Sequence, residues 1–217
     1  MKNILVKIQE QFGVKELPHD LFHSFDQALR FELGGEKFGT DRPMRRFAQA
    51  HERSNAVSQA FFENSSDVFV LLSSYGMEQP DKKRLKSLKL CGIKHFEFQY
   101  LSKTRQQDDD HISEFGCDLF RHWDIAKLKD KQTISEILWL GIASEMGVKP
   151  AFRGSTAAYL VDAENGLVLH LYDDRGMDVI ASQKAPLSDL FFRFNDWLLG
   201  QDLTRMTDMF GVEKQRF

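Results

Sequence analysis

The spacing of apolar residues changes several times along the chain, and each change marks an element. Ile4, Leu5, Ile8 and Phe12 recur at helical spacing over residues 3–12, with Gly13 as the stop. Residues 18–25 (PHDLFHSF) break that pattern and read as a loop or short turn. Residues 28–33 then read as a strand closed by Gly34-Gly35. Asp41 ahead of Arg42-Pro43 predicts a helix start, with the carboxylate capping free N–H groups and proline tolerated in the first turn. Met44, Phe47, Ala48, Val57, Ala60 and Phe61 lie near one face of that helix, which runs to about Glu63. Residues 67–73 (DVFVLLS) are almost wholly apolar, as expected of a central strand buried on both faces.

Pro80-Asp81 opens a second helix, rich in Lys and Arg, through Leu90. Phe96 and Phe98 alternate with polar neighbours over 95–101, which predicts a half-buried strand. Residues 102–111 have no apolar side chain and read as a solvated loop. Residues 117–123 alternate again, and 134–146 fit a helix capped by Thr133 and followed by Gly147. Residues 157–161 and 167–172 form a hairpin whose Asn165-Gly166 suits the positive φ values of a tight turn. Residues 173–176 make a second turn and 177–181 a third strand. Pro186 starts a helix burying Leu190, Phe191, Phe194, Trp197 and Leu198, stopped by Gly200. A last short helix holds Leu203, Met206, Met209 and Phe210. The fold class is α+β: a single mixed domain whose C-terminal antiparallel hairpin and third strand are covered by an aromatic-rich helix. The acidic stretch near 102–113 is the one candidate boundary between two lobes.

Composition narrows the class. The 217 residues are 42% hydrophobic and 28% charged, with 19 Phe, which suits a globule with an aromatic-rich interior. Lys and Arg number 29 against 32 Asp and Glu, a net charge of −3, so a histone-like phosphate binder is excluded. The apolar run at residues 4–6 ends at Lys7, too short for a signal-peptide core, and no stretch approaches the roughly 18–20 apolar residues of a membrane span. Cys91 and Cys117 then read as reduced, buried thiols in a cytoplasmic protein.

Chemistry is sparse. Tyr172-Asp173-Asp174-Arg175-Gly176-Met177-Asp178 places three carboxylates within six residues, a spacing that hard divalent cations accept. Arg175 among those acids favours a self-neutralised turn instead, so no metal and no cofactor are expected. Strand alternation puts His170 and Tyr172 on one face leading into the bend, which makes His170, Tyr172, Asp173, Asp174 and Asp178 the candidates for acid–base work. A core histidine is the competing role for His170, under the helix that starts at Pro186. His19 and His23 lack a third ligand nearby, and Cys91, His95, His111 and Cys117 match no zinc spacing. Gly34, Gly35 and Gly39 precede Arg42, Arg45 and Arg46 at a helix start, but Asp41 opposes an anion there. Lys82, Lys83, Arg84, Lys86, Lys89 and Lys94 face only Asp81, a run that nucleic acid or an acidic protein would contact. No aromatic interleaves them, so a solvated helix face is favoured over single-strand binding. Nucleophile elbows and phosphate loops are absent.

The segments RFELGG (30–35), RPMRRF (42–47), LHLYDDRGMDVIA (169–181) and FNDWLLGQD (194–202) resemble a bacterial family of unknown function, marked by a Tyr-Asp-Asp-Arg-Gly-Met/Leu-Asp motif and a following Asn-Asp-Trp helix. The resemblance spans about 25–210 and implies no activity or cofactor for Asp173, Asp174, Arg175, Asp178, Asn195, Asp196 or Trp197. The hairpin, third strand and aromatic helix also resemble the C-terminal half of SUKH-type immunity proteins, non-catalytic cytoplasmic binders. The functional expectation is a non-enzymatic cytoplasmic protein whose partner is another protein, with no membrane. Asp173, Asp174 and Arg175 are expected to brace the hairpin against the last helix, pairing with Asn195 or with backbone amides. Arg175, Asn195 and Asp196 are the binding candidates, and a buried Arg175 is worth about 3–5 kcal/mol. The alternatives are a hydrolytic enzyme or ligand-binding protein built on His170, Tyr172 and residues 173–178, and nucleic-acid contact through residues 82–94.

Overall fold

Seven strands join in one sheet in the computed structural model, which describes residues 2–35, 38–39, 41–105 and 119–211. They are β1 (Ala28–Glu32), β2 (Phe69–Gly76), β3 (Gln99–Arg105), β4 (Phe120–Lys127), β5 (Thr156–Asp162), β6 (Leu167–Leu171) and β7 (Gly176–Ala181). Their order is β1-β7-β6-β5-β2-β4-β3, antiparallel at every pairing. The helices are α1 (Lys2–Phe12), α2 (Leu21–Ser24), α3 (Pro43–Phe61), α4 (Gln132–Met146), α5 (Ala185–Arg193) and α6 (Leu203–Phe210). The fold is mixed α+β. Residues 102–105, expected in a solvated loop, belong to β3 and pair with β4, so strands on both sides of residues 106–118 share one sheet. The remainder of that stretch, with His111 and Cys117, lies outside the described residues.

Register explains the two faces. Val70 of β2 sits opposite Leu160 of β5, and the side chains of Leu29, Phe31, Leu160, Leu169, Leu171 and Val179 form an apolar face. α3 and α4 pack on each other and on that face, and α5 packs beside them on β1 and β7. Such a sheet, covered by helices, needs apolar residues in consecutive positions, which is why β6 reads Leu-Val-Leu-His-Leu and is buried throughout. The opposite face carries Arg30, Asp178, His170 and Tyr159 as one transverse row, because Arg30 pairs with Asp178, Asp178 with His170, and His170 with Tyr159. The residues linking α1 to β1 cover that row.

The edges differ. Past α5 the chain runs along the outer side of β1, where the Leu199 N–H donates to the Arg30 carbonyl (3.0 Å) and Leu198 bridges Phe31. At the other edge, β3 shifts register between Tyr100 and Ser102.

Several expectations need correction. Residues 81–91 are turns followed by a 3₁₀ helix (Ser87–Cys91), not an α-helix. Lys82, Lys83, Lys86 and Lys89 stand three or four apart with no acid between them, which disfavours an α-helix. Arg84 is not on the solvent face either. It is buried, and its Nε and Nη2 donate to the two carboxylate oxygens of Asp124 at 2.7 Å each. Residues 95–97 form a 3₁₀ turn held by the Glu97 carboxylate, which accepts the Lys94 N–H (2.6 Å), so the strand starts only at Gln99 and Phe96 is exposed. Asp41 does not cap α3, because it sits one residue ahead of the capping position that Arg42 occupies. Asp130, rather than Thr133, caps the start of α4 by accepting the Thr133 N–H (2.9 Å). In the β5–β6 hairpin only Gly166 has positive φ (63°), and Asp162 orders the loop by accepting from the N–H groups of Glu164 and Asn165. α5 ends at Arg193, and a 3₁₀ turn (Asn195–Trp197) redirects the chain to β1.

The Arg84–Asp124 pair fastens the 81–91 segment to the sheet. Arg84→Ala leaves Asp124 buried without its partner and is expected to destabilise the protein by about 3–5 kcal/mol in denaturant unfolding. Replacing both residues with Met and Leu is expected to recover most of that loss. A double variant no more stable than Arg84→Ala contradicts the assignment.

Candidate functional site at the acidic corner

The corner forms because β6 ends where Tyr172 begins the turn into β7. Asp173 organises the turn: its Oδ1 accepts the Arg175 N–H (2.7 Å) and the Gly176 N–H (3.3 Å). Two backbone bonds then bind the corner to the end of β1, from the Leu33 N–H to the Arg175 carbonyl (2.8 Å) and from the Gly34 N–H to the Asp174 carbonyl (2.7 Å). The approach is close enough that a Cβ at Gly34 would stand 2.6 Å from the Asp174 carbonyl oxygen, so glycine is required there.

The three carboxylates do not converge; each has its own arginine. Asp173 pairs with Arg175, Asp174 with Arg46 of α3, and Asp178 with Arg30 of β1. Arg30 Nε donates to Asp178 Oδ1 (2.8 Å) and Nη2 to Oδ2 (3.1 Å), while Oδ2 also accepts the Phe22 N–H (3.0 Å). Arg30 further reaches Asp20 (2.8 Å) and lies 4.8 Å from the Phe22 ring centroid and 5.8 Å from that of Tyr172. Burial draws the Asp178 carboxyl upward against the opposing pull of Arg30, and the same pair raises the Arg30 guanidinium. Among the described residues no three His, Cys, Asp or Glu side chains come together as a metal site.

Arg175, expected to be a buried brace, has a side chain 74% exposed, and both its Nε and its Nη2 point to the same Asp173 oxygen. The corner is tied to α3 and β1, not to the last helices. Asn195 and Asp196 lie on the turn after α5, Asp196 exposed, and neither shares a hydrogen bond or ion pair with residues 173–178. The residues missed from sequence are Arg30, Arg46 and Asp20. Arg30 left no legible signal: between Leu29 and Phe31 it reads as the polar, outward position of a half-buried strand, and only the 13–24 segment, which covers that face, encloses it.

His170 and Tyr172 do share a face. His170 Nδ1 donates to the Ala158 carbonyl (3.0 Å), and the ring stacks on Tyr159 at 4.2 Å between centroids. Burial is the main cause that lowers its pKa to about 4, so the ring is neutral at physiological pH. The cover over His170 is the 13–20 segment, not α5: Pro18 accepts the Tyr159 hydroxyl (3.1 Å) and the His19 ring lies 6.2 Å away. A cavity of about 320 Å³ opens beside it, lined by His19, Tyr75, Ser144, Glu145, His170 and Tyr172 among others. His19 and Tyr75 meet at 3.0 Å, whereas His23 turns away to Asp20 (2.8 Å). Burial also holds the Tyr172 hydroxyl protonated well above its ordinary range. Cys91 is a free, buried thiol whose pKa burial pushes up to about 12.

This constellation defines a chain whose acidic motif is joined to the sheet by arginines from elsewhere in the fold. The chain belongs to the family described as a domain of unknown function (DUF3885), whose model matches residues 5–202. It is similar to the uncharacterised protein YnaE of Bacillus subtilis (strain 168), 21% identical over 214 residues, covering 90% of this chain and 97% of that protein. No solved structure matches. Among the described residues no helix is long and apolar enough to cross a membrane.

Two outcomes are expected of the corner. Arg30→Ala leaves the wholly buried Asp178 carboxyl without its cation and is expected to cost about 3–5 kcal/mol. Arg175→Ala removes an exposed partner and is expected to cost under about 1 kcal/mol. Urea unfolding of both variants checks the contrast, and equal losses contradict it. For His170, the folded and unfolded rings are both neutral above pH 6.5 and contribute nothing there. Between about pH 6.5 and 4 the unfolded chain takes a proton that the folded chain refuses, so stability falls by about 3 kcal/mol as pH drops through that window. His170→Gln is expected to flatten that slope, and an unchanged slope assigns it to another group.

Proposed function

We propose that this chain is a non-enzymatic, cytoplasmic protein-binding protein of the immunity or regulator kind, acting through its exterior. The observation that carries the reading is the commitment of every carboxylate in the family motif to an arginine of the same chain. Asp178 is held bidentately by Arg30, and Asp173 and Asp174 each by one arginine. Carboxylates paired in this way are poor general bases and poor cation ligands, so the motif serves as architecture. Neutral His170, hydrogen-bonded to a backbone carbonyl and stacked on Tyr159, belongs to that architecture.

One observation favours a second reading. The cavity beside His170 brings an imidazole, Tyr172, Ser144 and Glu145 to a common space of about 320 Å³, the size of a small-metabolite site. That arrangement suits a hydrolytic enzyme or ligand-binding protein.

The two separate by experiment. Under the binding reading, a partner protein recovered with the tagged chain reassembles with it from pure components, and the pure chain shows no melting-temperature rise with divalent ions or nucleotides. A reproducible rise with one such ligand, lost in Ser144→Ala, transfers the function to the cavity. Failure of every recovered protein to rebind in pure form sinks the binding reading.

A further inference from the structure

We propose that the trough between the 81–91 segment and residues 149–154 is the partner-binding surface, and that its occupant is an acidic segment of another protein carrying a large apolar residue. This rests on the protein-binding reading and gives it a place and a chemistry. Lys83, Lys86, Lys89, Lys149 and Arg153 line a hollow of about 640 Å³ in which Asp81 is the single acid. Among the described residues, none of these five cations pairs with a carboxylate. Arginines elsewhere in the fold are spoken for: Arg30, Arg46 and Arg84 each hold an aspartate. Positive charge left uncompensated on facing walls of a concave surface raises the local potential and draws in anionic groups.

The floor decides what kind of anion. Leu90 is 68% exposed and, with Pro150, lines both this hollow and a second one of about 240 Å³ that continues towards Cys91 and Trp139. The trough is therefore cationic at one end and apolar at Leu90 and Pro150, with Glu136 the acid that lines the far hollow. Phe152, the aromatic in the cationic hollow, has its ring buried, and Phe96 lines neither hollow. Within the cationic hollow, bases of a single-stranded nucleic acid would find no exposed aromatic face to stack on, Trp139 lying in the second hollow beyond Leu90. A peptide with two or more carboxylates next to a Leu, Ile, Met or Phe satisfies both ends, its acids on the lysines and its apolar residue against Leu90 and Pro150.

The walls are fixed before any partner arrives. Arg84 anchors the 81–91 segment to Asp124, and the Ser87 hydroxyl donates to the Ala151 carbonyl (2.5 Å) across the base of the trough. A surface held in shape loses less entropy on binding.

The test is a random 12-residue peptide display selection on the full chain, with a Lys86→Glu/Lys89→Glu variant as counter-target. Both lysines are exposed and unpaired, so the variant is expected to keep its melting temperature. The expected result is enrichment of peptides joining Asp or Glu to one large apolar residue. A synthetic copy should bind the natural chain, weaken at least tenfold on the charge-reversal variant and several-fold on Leu90→Ser, and weaken further as salt rises. Enriched peptides without acidic bias, or binding indifferent to the reversal, overturn the proposal. So does tighter binding of a 20-nucleotide single-stranded DNA than of the selected peptides. A reconstituted partner that binds the charge-reversal variant undiminished removes this surface while leaving the protein-binding reading standing.

Discussion

The structure depends on one ion pair set into a sheet. Arg30 and Asp178 are cross-strand neighbours on adjacent strands, and Asp178 is wholly buried. A lone carboxylate there would face a large desolvation penalty, whereas the guanidinium also reaches Asp20 and Asp202 at the sheet border. Together, with the Phe22 N–H completing the acceptor's needs, they fix the register of β1 against β7. A one-residue slip would move Asp178 to the apolar face and Arg30 away from it. The pair therefore specifies alignment as well as adding attraction, and the N-terminal segment is recruited to the same site through Asp20 and Phe22.

From that alignment the rest of the polar row follows. His170 falls beside Asp178 and Tyr159 beside His170, with His170 Nδ1 answered by the Ala158 carbonyl and the Tyr159 hydroxyl by the Pro18 carbonyl. Arg121 extends the pattern on β4, donating to Ser73, to the Leu17 carbonyl and to the Tyr159 hydroxyl. A sheet face built this way is specific but demanding, because each member left unpaired costs more than it contributes when paired. The family motif sits at the end of this row, which accounts for its acidic content without invoking a reaction.

Most strands were legible because their signals were local. The apolar run of β2, the hairpin of β5 and β6 and the start of β7 depend on residue order alone, and the structure places them within a few residues of expectation. The partners of the acidic motif were not legible. Arg46 lies 128 positions from Asp174 and Arg30 lies 148 from Asp178, so spacing along the chain could not connect them. Arg175, close in sequence, does neutralise Asp173, but its side chain mostly faces water and so braces nothing beyond its own turn. The 81–91 segment misled for a related reason: a periodic run of Leu and Lys predicts a helix unless the like charges and the inward pull of Arg84 are weighed together.

The chain passing Leu198 and Leu199 along β1 has a further consequence. An open sheet is a template, because unpaired N–H and carbonyl groups on its rim invite a strand from another molecule. Here one rim is capped by the protein's own backbone, and the other carries Lys103, Arg105 and an offset in pairing that spoils a straight docking line. A sheet guarded at both borders can carry the long apolar stretches of β2 and β6 without inviting fibrillar stacking.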